Sequence, residues 1–243
     1  MTNTPEIHVL DHKVRLLQAE NGFRTSLDSV FLGAACPAVS EERVLDMGCG
    51  VGGAGFCLLW RVAGVHLTGV DIQQGHIDLA RTNIVLNGCE GHAEFVCADI
   101  RNFGSVERFD HVICNPPYLE AGAYTPSSSE ERAIALGHEG SDLTVADWID
   151  AGFKNLKSGG SITMIHRADM VDKIILAMGR KFGAIEIIPL YPKAGQEAKR
   201  VIVRAVKDRK TPARLHAGMV LHEENGNYTE DADAILRDGG AIG

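Results

Sequence analysis

Four consecutive residues suit the handling of an amino nitrogen: Asn115, Pro116, Pro117 and Tyr118, which follow the apolar run 112–114. Two prolines cannot continue a central strand, so the chain must leave its sheet here with fixed carbonyl directions. The Asn115 carboxamide oxygen and the Pro116 carbonyl can then accept both hydrogens of one NH2 group, while Tyr118 stacks on a planar ring or amide. We therefore take all four as candidate catalytic residues.

The chemistry that this arrangement favours is methylation of a conjugated amine. Such a nitrogen is a poor nucleophile because its lone pair is delocalised into a ring or a carbonyl. Two acceptors on its hydrogens would favour a tetrahedral nitrogen with a localised lone pair. Transfer of a methyl group in line would then depend on positioning and charge stabilisation. The alternative interpretation is a rigid turn in a loop, the usual meaning of Pro-Pro alone.

A glycine-rich turn lies upstream of these residues. Gly48, Gly50 and Gly53 have the G-x-G-x-x-G spacing, between an apolar run that indicates a strand and a helical pattern. Asp71 ends the next predicted strand, at a distance that suits an acid on a ribose. The alternative is a tight turn in which glycine supplies only a positive φ. The strand before the turn and the helix after it favour a nucleoside-binding loop.

The acid in front of this loop indicates which nucleoside binds. Asp46 stands two residues before Gly48, where it would repel a pyrophosphate. S-adenosylmethionine has no phosphate and carries an ammonium and a sulfonium, so a fixed negative charge favours it. Asp99 follows a third predicted strand, where it can accept the adenine amine while Ile100 packs on the ring. The alternatives are a capping acid for Asp46 and a turn residue for Asp99.

These residues require a parallel sheet that brings their strand ends together. Apolar runs alternate with helical patterns, which is typical of βαβ units and a doubly wound, Rossmann-like α/β fold. The link between the last two runs is too short for a helical crossover, so these two strands should be antiparallel. Predicted strands are 43–47, 65–70, 93–97, 111–114, 161–166, 184–190 and 200–206, and predicted helices are 53–63, 74–87, 143–156 and 170–182.

The remaining segments complete one compact domain around a core of residues 41–207. Residues 1–40 should form an extension that completes the cofactor pocket, with a hairpin (strand 13–18, turn at Asn21 and Gly22) and a helix from Leu27. Residues 208–243 are polar and should form a peripheral extension. The stretch 119–142 is too long for an idle connection and is typical of a lid or a disordered loop.

Composition bounds the classes of function. The 243 residues carry a net charge of −8, which alone argues against a nucleic-acid partner, yet residues 193–214 hold eight basic side chains against two acids. That cluster indicates an RNA contact or, alternatively, a solvated face. None of the six cysteines forms C-x-x-C, and no leader or membrane span is apparent. We expect a reduced, cytoplasmic protein without a metal, with a monomer favoured.

The glycine loop, its acids and the Asn-Pro-Pro-Tyr string resemble class I S-adenosylmethionine-dependent methyltransferases that act on amino nitrogens. Segments 22–32, 189–203 and 221–229 are similar to the bacterial tRNA(Val) adenine-N6 methyltransferases. The resemblance implies a seven-stranded sheet with an antiparallel last strand and an adenosine beside the tRNA anticodon as substrate. It also places Thr25, Ser26 and Asp28 near the methionine part of the cofactor.

The resulting hypothesis is an enzyme that methylates N6 of an adenosine in the anticodon loop of a tRNA. The same residues would serve a glutamine amide of a protein or an adenine in DNA. A catalytically silent RNA-binding module and a dehydrogenase are the alternatives from other classes. Candidate RNA contacts are Lys193, Lys199 and Arg200, and candidate cofactor contacts are Thr25, Ser26, Asp28, Asp46, Gly48, Gly50, Asp71, Ile72, Asp99, Ile100 and Asn115.

Overall fold

A computed structural model describes residues 4–19, 25–118 and 143–242. A large mixed sheet carries helices on both faces, and a two-stranded hairpin lies beside it. The strands are β1 Glu6–Val9, β2 Val14–Leu17, β3 Arg43–Met47, β4 His66–Asp71, β5 Ala93–Cys97, β6 Phe109–Cys114, β7 Leu156–Arg167, β8 Phe182–Lys193, β9 Arg200–Lys207, β10 Arg214–Leu215 and β11 Met219–His222. The α-helices are α1 Leu27–Ala35, α2 Gly53–Arg61, α3 Gln74–Leu86, α4 Val145–Asn155, α5 Val171–Met178 and α6 Glu230–Asp238.

The strand order of the large sheet is β10-β8-β9-β7-β6-β3-β4-β5, with β11 also paired to β8. Strands β3 to β7 run parallel, whereas β9 is antiparallel to both β7 and β8. The predicted doubly wound class and the antiparallel last strand of the core are therefore confirmed. The seven expected strands are β3 to β9, and β10 and β11 add two short parallel strands beside β8, so that the described sheet has nine.

The central strands form because their side chains are buried on both faces. In β3, Val44, Leu45, Asp46 and Met47 are all buried, which explains its nearly continuous apolar sequence. One hydrophobic cluster packs under α1, α2 and α3, and a second packs under α4 and α5 on the opposite face. Strand β3, which lies between β6 and β4, thus places Asp46 inside the protein near the carboxyl end of the strand.

Differences from the predicted boundaries have local causes. Strand β7 begins at Leu156 rather than at residue 161. Its pairing with β6 shifts register between Leu156 and Ser161, so the glycine-rich stretch predicted as a turn is part of the strand. Helix α5 ends at Met178, earlier than predicted, because Gly179 has a positive φ of 52° and Phe182 already starts β8. Periodicity located both elements but not their ends.

The N-terminal hairpin pairs differently from the prediction. The strand expected at 13–18 exists as β2, but its partner is the preceding β1, with Glu6 opposite Leu17 and Val9 opposite Val14. The turn between them passes through Leu10, Asp11 and His12, all at positive φ, which few non-glycine residues adopt. The predicted turn at Asn21 and Gly22 therefore does not close this hairpin, and those two residues lie outside the described ones, as does the predicted lid 119–142.

Two asparagines, Asn83 in α3 and Asn87 at its C-cap, tie β2 to the rest of the fold. The fully buried Asn83 accepts from the Leu17 backbone N–H at 2.8 Å and donates to the carbonyls of Leu17 and Val51. One turn later, Asn87 makes the same two-way contact with the backbone of Arg15. These side chains make the hydrogen bonds that a neighbouring strand would make with the backbone of β2. Asn83 also links β2 to the turn that follows β3.

The C-terminal segment contributes to the core as well as to the sheet edge. Ala232 and Ile235 of α6 and Ile242 are buried in the cluster around α1, and the Ile242 N–H donates to the Ala34 carbonyl at 3.0 Å. Within the described ranges, no helix has the length and apolar character that a membrane span requires.

Candidate active site

The carboxyl ends of β3, β4 and β6 lie side by side. Met47, the last residue of β3, is paired with Val70 on one side and Cys114 on the other. The residues that come next, Gly48, Asp71 and Asn115, therefore meet at one edge of the sheet. Ligands of open α/β sheets bind at this edge. The structure thus brings together the two groups of residues that the sequence singled out.

Left-handed glycines shape the turn after β3. Gly48, Gly50 and Gly52 have φ values of 67°, 55° and 91°, a region that disfavours other residues. The Gly48 N–H donates to the Val70 carbonyl at 2.7 Å, and the Gly50 N–H donates to Asp71 Oδ2 at 3.0 Å. A Cβ on Gly50 would meet no atom within 4 Å among the described neighbours. Gly50 therefore faces room for a ligand, and the turn is locked to the end of β4.

Asp46 is a buried acid behind this turn. Its side chain is only 2% exposed, and Oδ2 has no hydrogen-bond partner among the described residues. Burial raises the pKa of Asp46 to about 8. The charge of Asp71 also raises this pKa, whereas a hydrogen bond from the Gly55 backbone N–H lowers it. A buried acceptor without a partner is costly, so it is a strong candidate for a ligand contact.

Asp71 and Asp99 differ in how they are held. Asp71 is buried and accepts from the Gln73 N–H at 2.9 Å as well as from the glycine turn. Asp99 accepts from the Arg101 side chain at 2.8 Å, and this bonding lowers the pKa of Asp99. Two apolar residues predicted beside them also differ, because Ile72 is 38% exposed whereas Ile100 is buried in the core.

Tyr118 lies at the centre of a polar network. Its Oη is 2.5 Å from Asp28 Oδ2 and 3.1 Å from Asn115 Oδ1. Arg200 donates from Nε to the same Asp28 oxygen at 3.0 Å and places its guanidinium 4.7 Å from the centre of the Tyr118 ring. The ring of His166, a residue of β7, lies 5.0 Å from the ring of Tyr118. Burial and the Asp28 charge raise the pKa of Tyr118, so it stays a phenol.

The N-terminal residues expected near the cofactor are divided between two places. Thr25 packs against Gly53 at the start of α2, where a Cβ on the glycine would lie 2.8 Å from the threonine side chain. Ser26 is exposed and immediately precedes α1. Asp28, in the first turn of α1, instead contacts Tyr118 and Arg200.

The basic cluster 193–214 is divided between the two ends of the strands, the edge that carries the site and the edge opposite to it. Lys193 ends β8, Arg200 begins the antiparallel β9, and Lys199 precedes it, so these three lie at the edge that carries the site. At the other edge, Lys207 ends β9 and donates to the carbonyls of Phe153 and Leu156. Eight residues of strand separate the two edges by about 25 Å. The eight basic residues therefore do not form one surface.

Comparison with known proteins decides the family. The model of the methyltransferase small domain matches residues 27–191. The chain belongs to the methyltransferase small domain family. A predicted O-methyltransferase of Agrobacterium tumefaciens has a similar structure, with 26% identity, a TM-score of 0.72 and coverage of 88% of this chain and 98% of the other. TrmN from Thermus thermophilus shares the fold. It is 18% identical, with a TM-score of 0.50, and the match covers 74% of this chain and 48% of the other.

Two curated relatives cover most of the chain. A protein of Shewanella baltica named tRNA1(Val) (adenine(37)-N6)-methyltransferase is 29% identical over 89% of this chain and 92% of its own length. A protein of the same name from Glaesserella parasuis is 25% identical over 86% of each chain. The predicted methyltransferase activity and the predicted cofactor, S-adenosylmethionine, are confirmed at the level of the family. The dehydrogenase and the silent binding module are thereby set aside.

The site of this methyltransferase fits a cationic nucleoside cofactor. The unpartnered oxygen of Asp46 can accept from an ammonium, and the space in front of Gly50 admits a ligand close to the backbone. Asp71 stands at the end of β4, where an acid suits ribose hydroxyls, and the exposed Ile72 follows it. Among the described residues, His, Cys, Asp and Glu do not gather into a group of three or more that could hold a metal ion.

The methyltransferase site contains residues that the sequence did not indicate. Trp148 of α4 lies under the glycine turn, with its ring 2.6 Å from where a Cβ on Gly48 would stand. Together with His166 and Met170 it lines a pocket beside Pro116, Pro117 and Tyr118. A large apolar residue on an amphipathic helix looks like core from sequence alone, so the helical pattern offered no signal for this second role.

Proposed function

We propose that this chain transfers the methyl group of S-adenosylmethionine to N6 of an adenosine in a tRNA anticodon loop, adenosine 37 of tRNA1(Val) being the first candidate. The observation that carries the proposal is the position of Asn115 and Tyr118 beside the glycine turn and the buried Asp46. The substrate is supported by curated relatives of that activity, which are 22–29% identical over 86–90% of the chain.

Cofactor binding is assigned to residues at the carboxyl edge of β3, β4 and β5. Asp46 accepts from the ammonium, and the turn at Gly48 and Gly50 lets the backbone approach the ligand. Asp71 accepts from the ribose, and Asp99 from the adenine amine. When bound, the cofactor supplies an electrophilic methyl group on a sulfonium. The further contacts assigned to it are Thr25, Ser26, Ile72 and Ile100.

Substrate activation is assigned to the turn after β6. The Asn115 carboxamide oxygen and the Pro116 carbonyl accept the two hydrogens of the target amine and fix the direction of its lone pair. Pro117 keeps the turn rigid, and the Tyr118 ring stacks on the adenine. Because the base must leave its stack to reach this turn, a single-stranded loop is the least costly substrate. Lys193 and Lys199 lie at the same edge and suit the RNA backbone.

The substrate class can be tested with a labelled methyl group. The purified protein is incubated with radiolabelled S-adenosylmethionine and, separately, total tRNA, DNA and protein from cells that lack it. We expect label in tRNA and a mass spectrum that identifies N6-methyladenosine in the anticodon loop. Label in a glutamine of a protein or in DNA adenine would instead select one of the other two substrates.

The role of Asn115 has its own prediction. Asn115→Ala removes one of two acceptors for the amine, and the loss of one preorganised contact of this kind lowers kcat by roughly 10²-fold or more. Calorimetry should show cofactor binding within about twofold of the parent protein, since Asp46 and the glycine turn remain. Turnover at the parental rate would contradict the assignment of Asn115.

Three further expectations accompany this function. Residues 1–40 complete the cofactor pocket, 41–207 form the core and 208–243 an extension, all within one domain. The chain acts as a monomer on tRNA in the cytoplasm. Light scattering coupled to size-exclusion chromatography, with and without tRNA, tests the monomer, and a stable dimer would refute it.

A further inference from the structure

The protons available to Tyr118 determine how the Asn115 carboxamide is oriented. Tyr118 Oη lies 2.5 Å from Asp28 Oδ2 and 3.1 Å from the Asn115 atom assigned as Oδ1. A phenol has a single hydrogen to donate. Two oxygens 2.5 Å apart require a proton between them, and Asp28 Oδ2 also accepts from Arg200 Nε. The Tyr118 hydrogen is therefore committed to Asp28.

This leaves an oxygen facing an oxygen at the Asn115 contact. With its hydrogen donated to Asp28, Tyr118 Oη presents only lone pairs to Asn115. At the same time, the Asn115 amide nitrogen is buried without a partner among the described residues. A half-turn of the carboxamide about Cβ–Cγ exchanges its oxygen and nitrogen. It replaces the contact between two oxygens by a hydrogen bond from Nδ2 to Tyr118 Oη, and it leaves an acceptor rather than a donor at the unpartnered position. The two orientations differ little in shape, so hydrogen bonding must decide between them.

We propose that Asp28 is a positioning residue that, through the Tyr118 hydroxyl, turns the Asn115 carboxamide so that its nitrogen faces Tyr118 and its oxygen faces the substrate amine. Asp28 accepts from Tyr118, Tyr118 accepts from Asn115 Nδ2, and the freed Oδ1 occupies the unpartnered position. Arg200 donates to the same oxygen of Asp28 and places its guanidinium over the tyrosine ring. The inference deepens the proposed function and rests on it, since it concerns the acceptor for the amine.

The relay predicts linked kinetic effects. Tyr118→Phe keeps the ring but removes the hydroxyl, and Asp28→Ala removes its acceptor. Each variant should lower kcat on tRNA about tenfold, less than the loss of a direct contact. The cofactor Kd and the KM for tRNA should stay within about twofold. Because both changes break one chain of hydrogen bonds, the double variant should be no slower than the slower single variant.

A conservative variant separates positioning from simple structural support. The amide oxygen of Asp28→Asn can still accept from Tyr118, so this variant should recover most of the activity that Asp28→Ala loses. If Asp28→Asn is as slow as Asp28→Ala, or if the losses of the two single variants multiply in the double variant, the relay is refuted. A weakened cofactor Kd with unchanged kcat in Asp28→Ala would instead place Asp28 on the cofactor.

A spectroscopic measurement tests the orientation without any substrate. In protein labelled with ¹⁵N asparagine, the Asn115 NH2 signals are assigned by their loss in Asn115→Ala. A nuclear Overhauser effect between these hydrogens and the Tyr118 ring is expected, and its absence would overturn the proposal even if Tyr118→Phe is unstable. Because this readout needs no turnover, it stays informative if tRNA proves not to be the substrate.

Discussion

At the scale of single residues, Asp46 shows how a buried acid can be prepared for a cation. Its Oδ2 has no partner among the residues that the structure describes, and burial raises the pKa of Asp46 to about 8. The folded protein thus binds a proton that the unfolded chain, with its ordinary acid, has already lost at neutral pH. This group alone therefore makes the folded state less stable as pH rises from about 4 to 8. A bound ammonium would replace that proton.

Proton release on cofactor binding is the measurable consequence. Between pH 6 and 7.5 the affinity for S-adenosylmethionine should rise with pH, by at most about tenfold per unit, because the free protein must lose the Asp46 proton. Calorimetry in two buffers of different ionisation enthalpy measures the released proton directly. Asp46→Asn, which does not titrate, serves as the control and should show a flat profile. An affinity that is independent of pH in the parent protein would contradict this account.

The residues that follow the central strands could be placed from the sequence, but the contact between Asp28 and Tyr118 could not. Asp46, Asp71 and Asn115 could be assigned to one edge because each follows an apolar strand of a parallel sheet. Asp28 and Tyr118 are 90 positions apart and meet only because α1 packs beside β6 and β7. No local pattern encodes such a meeting, so a polar residue in a first helical turn gave no sign of it.

At the scale of elements, the hairpin β1–β2 depends on side chains rather than on a neighbouring strand. Asn83 of α3 and Asn87, the residue that caps this helix, supply the hydrogen bonds that the backbone of β2 would otherwise lack on that side. Asn83 also reaches the Val51 carbonyl in the glycine turn. The position of the hairpin is thus coupled to the loop expected to hold the cofactor.

Removing the Asn83 carboxamide should destabilise the protein. Asn83→Ala leaves the backbone groups of Leu17 and the Val51 carbonyl without partners, at a cost of about 3 kcal/mol. In a chain of this size, that loss lowers Tm by about 6–12 °C in calorimetry. Val85→Ala on the same helix is the control, since Val85 is 68% exposed and the change should cost less than about 0.5 kcal/mol. An unchanged Tm in Asn83→Ala would show that the hairpin is not tied to α3 in this way.

Periodicity identified the core elements more reliably than the connections between them. Strands β3 and β5 have the predicted ends, and β3 lies between Glu42 and Gly48, which mark both of its ends in the sequence. The hairpin turn was wrong because Leu10, Asp11 and His12 adopt positive φ without a glycine. The strands β10 and β11 escaped notice because β10 is only two exposed residues and β11 only four residues in a segment of polar composition, and both pair with β8 alone.

At the scale of the whole molecule, charge position matters more than net charge. The chain carries −8, yet Lys193 and Lys199 stand at the edge of the site while Arg209 and Lys210 follow the far end of β9. Lys193 and Lys199 can approach phosphates of an RNA bound at the site, whereas Arg209 and Lys210 at the far edge cannot reach the same RNA loop.

Salt dependence of tRNA binding separates the two groups. The double variant Lys193→Ala and Lys199→Ala should bind tRNA more weakly and lower the slope of log K against log salt by about 1 per lost contact. The control, Arg209→Ala with Lys210→Ala, removes the same charge from the opposite edge and should leave both values close to those of the parent protein. Equal effects of the two pairs would mean that the RNA follows another surface.

The ion pair between Arg200 and Asp28 joins residues 172 positions apart. Since Arg200 opens β9, and β9 lies between β7 and β8, the guanidinium can cover Tyr118 only once β9 is in place. A nascent chain that has emerged from the ribosome only as far as β8 would possess the complete glycine turn and the Asn-Pro-Pro-Tyr turn, yet its tyrosine would lack the guanidinium that covers it. The contacts of Tyr118 are therefore complete only when β9, which follows both of its neighbours in the chain, lies between β7 and β8.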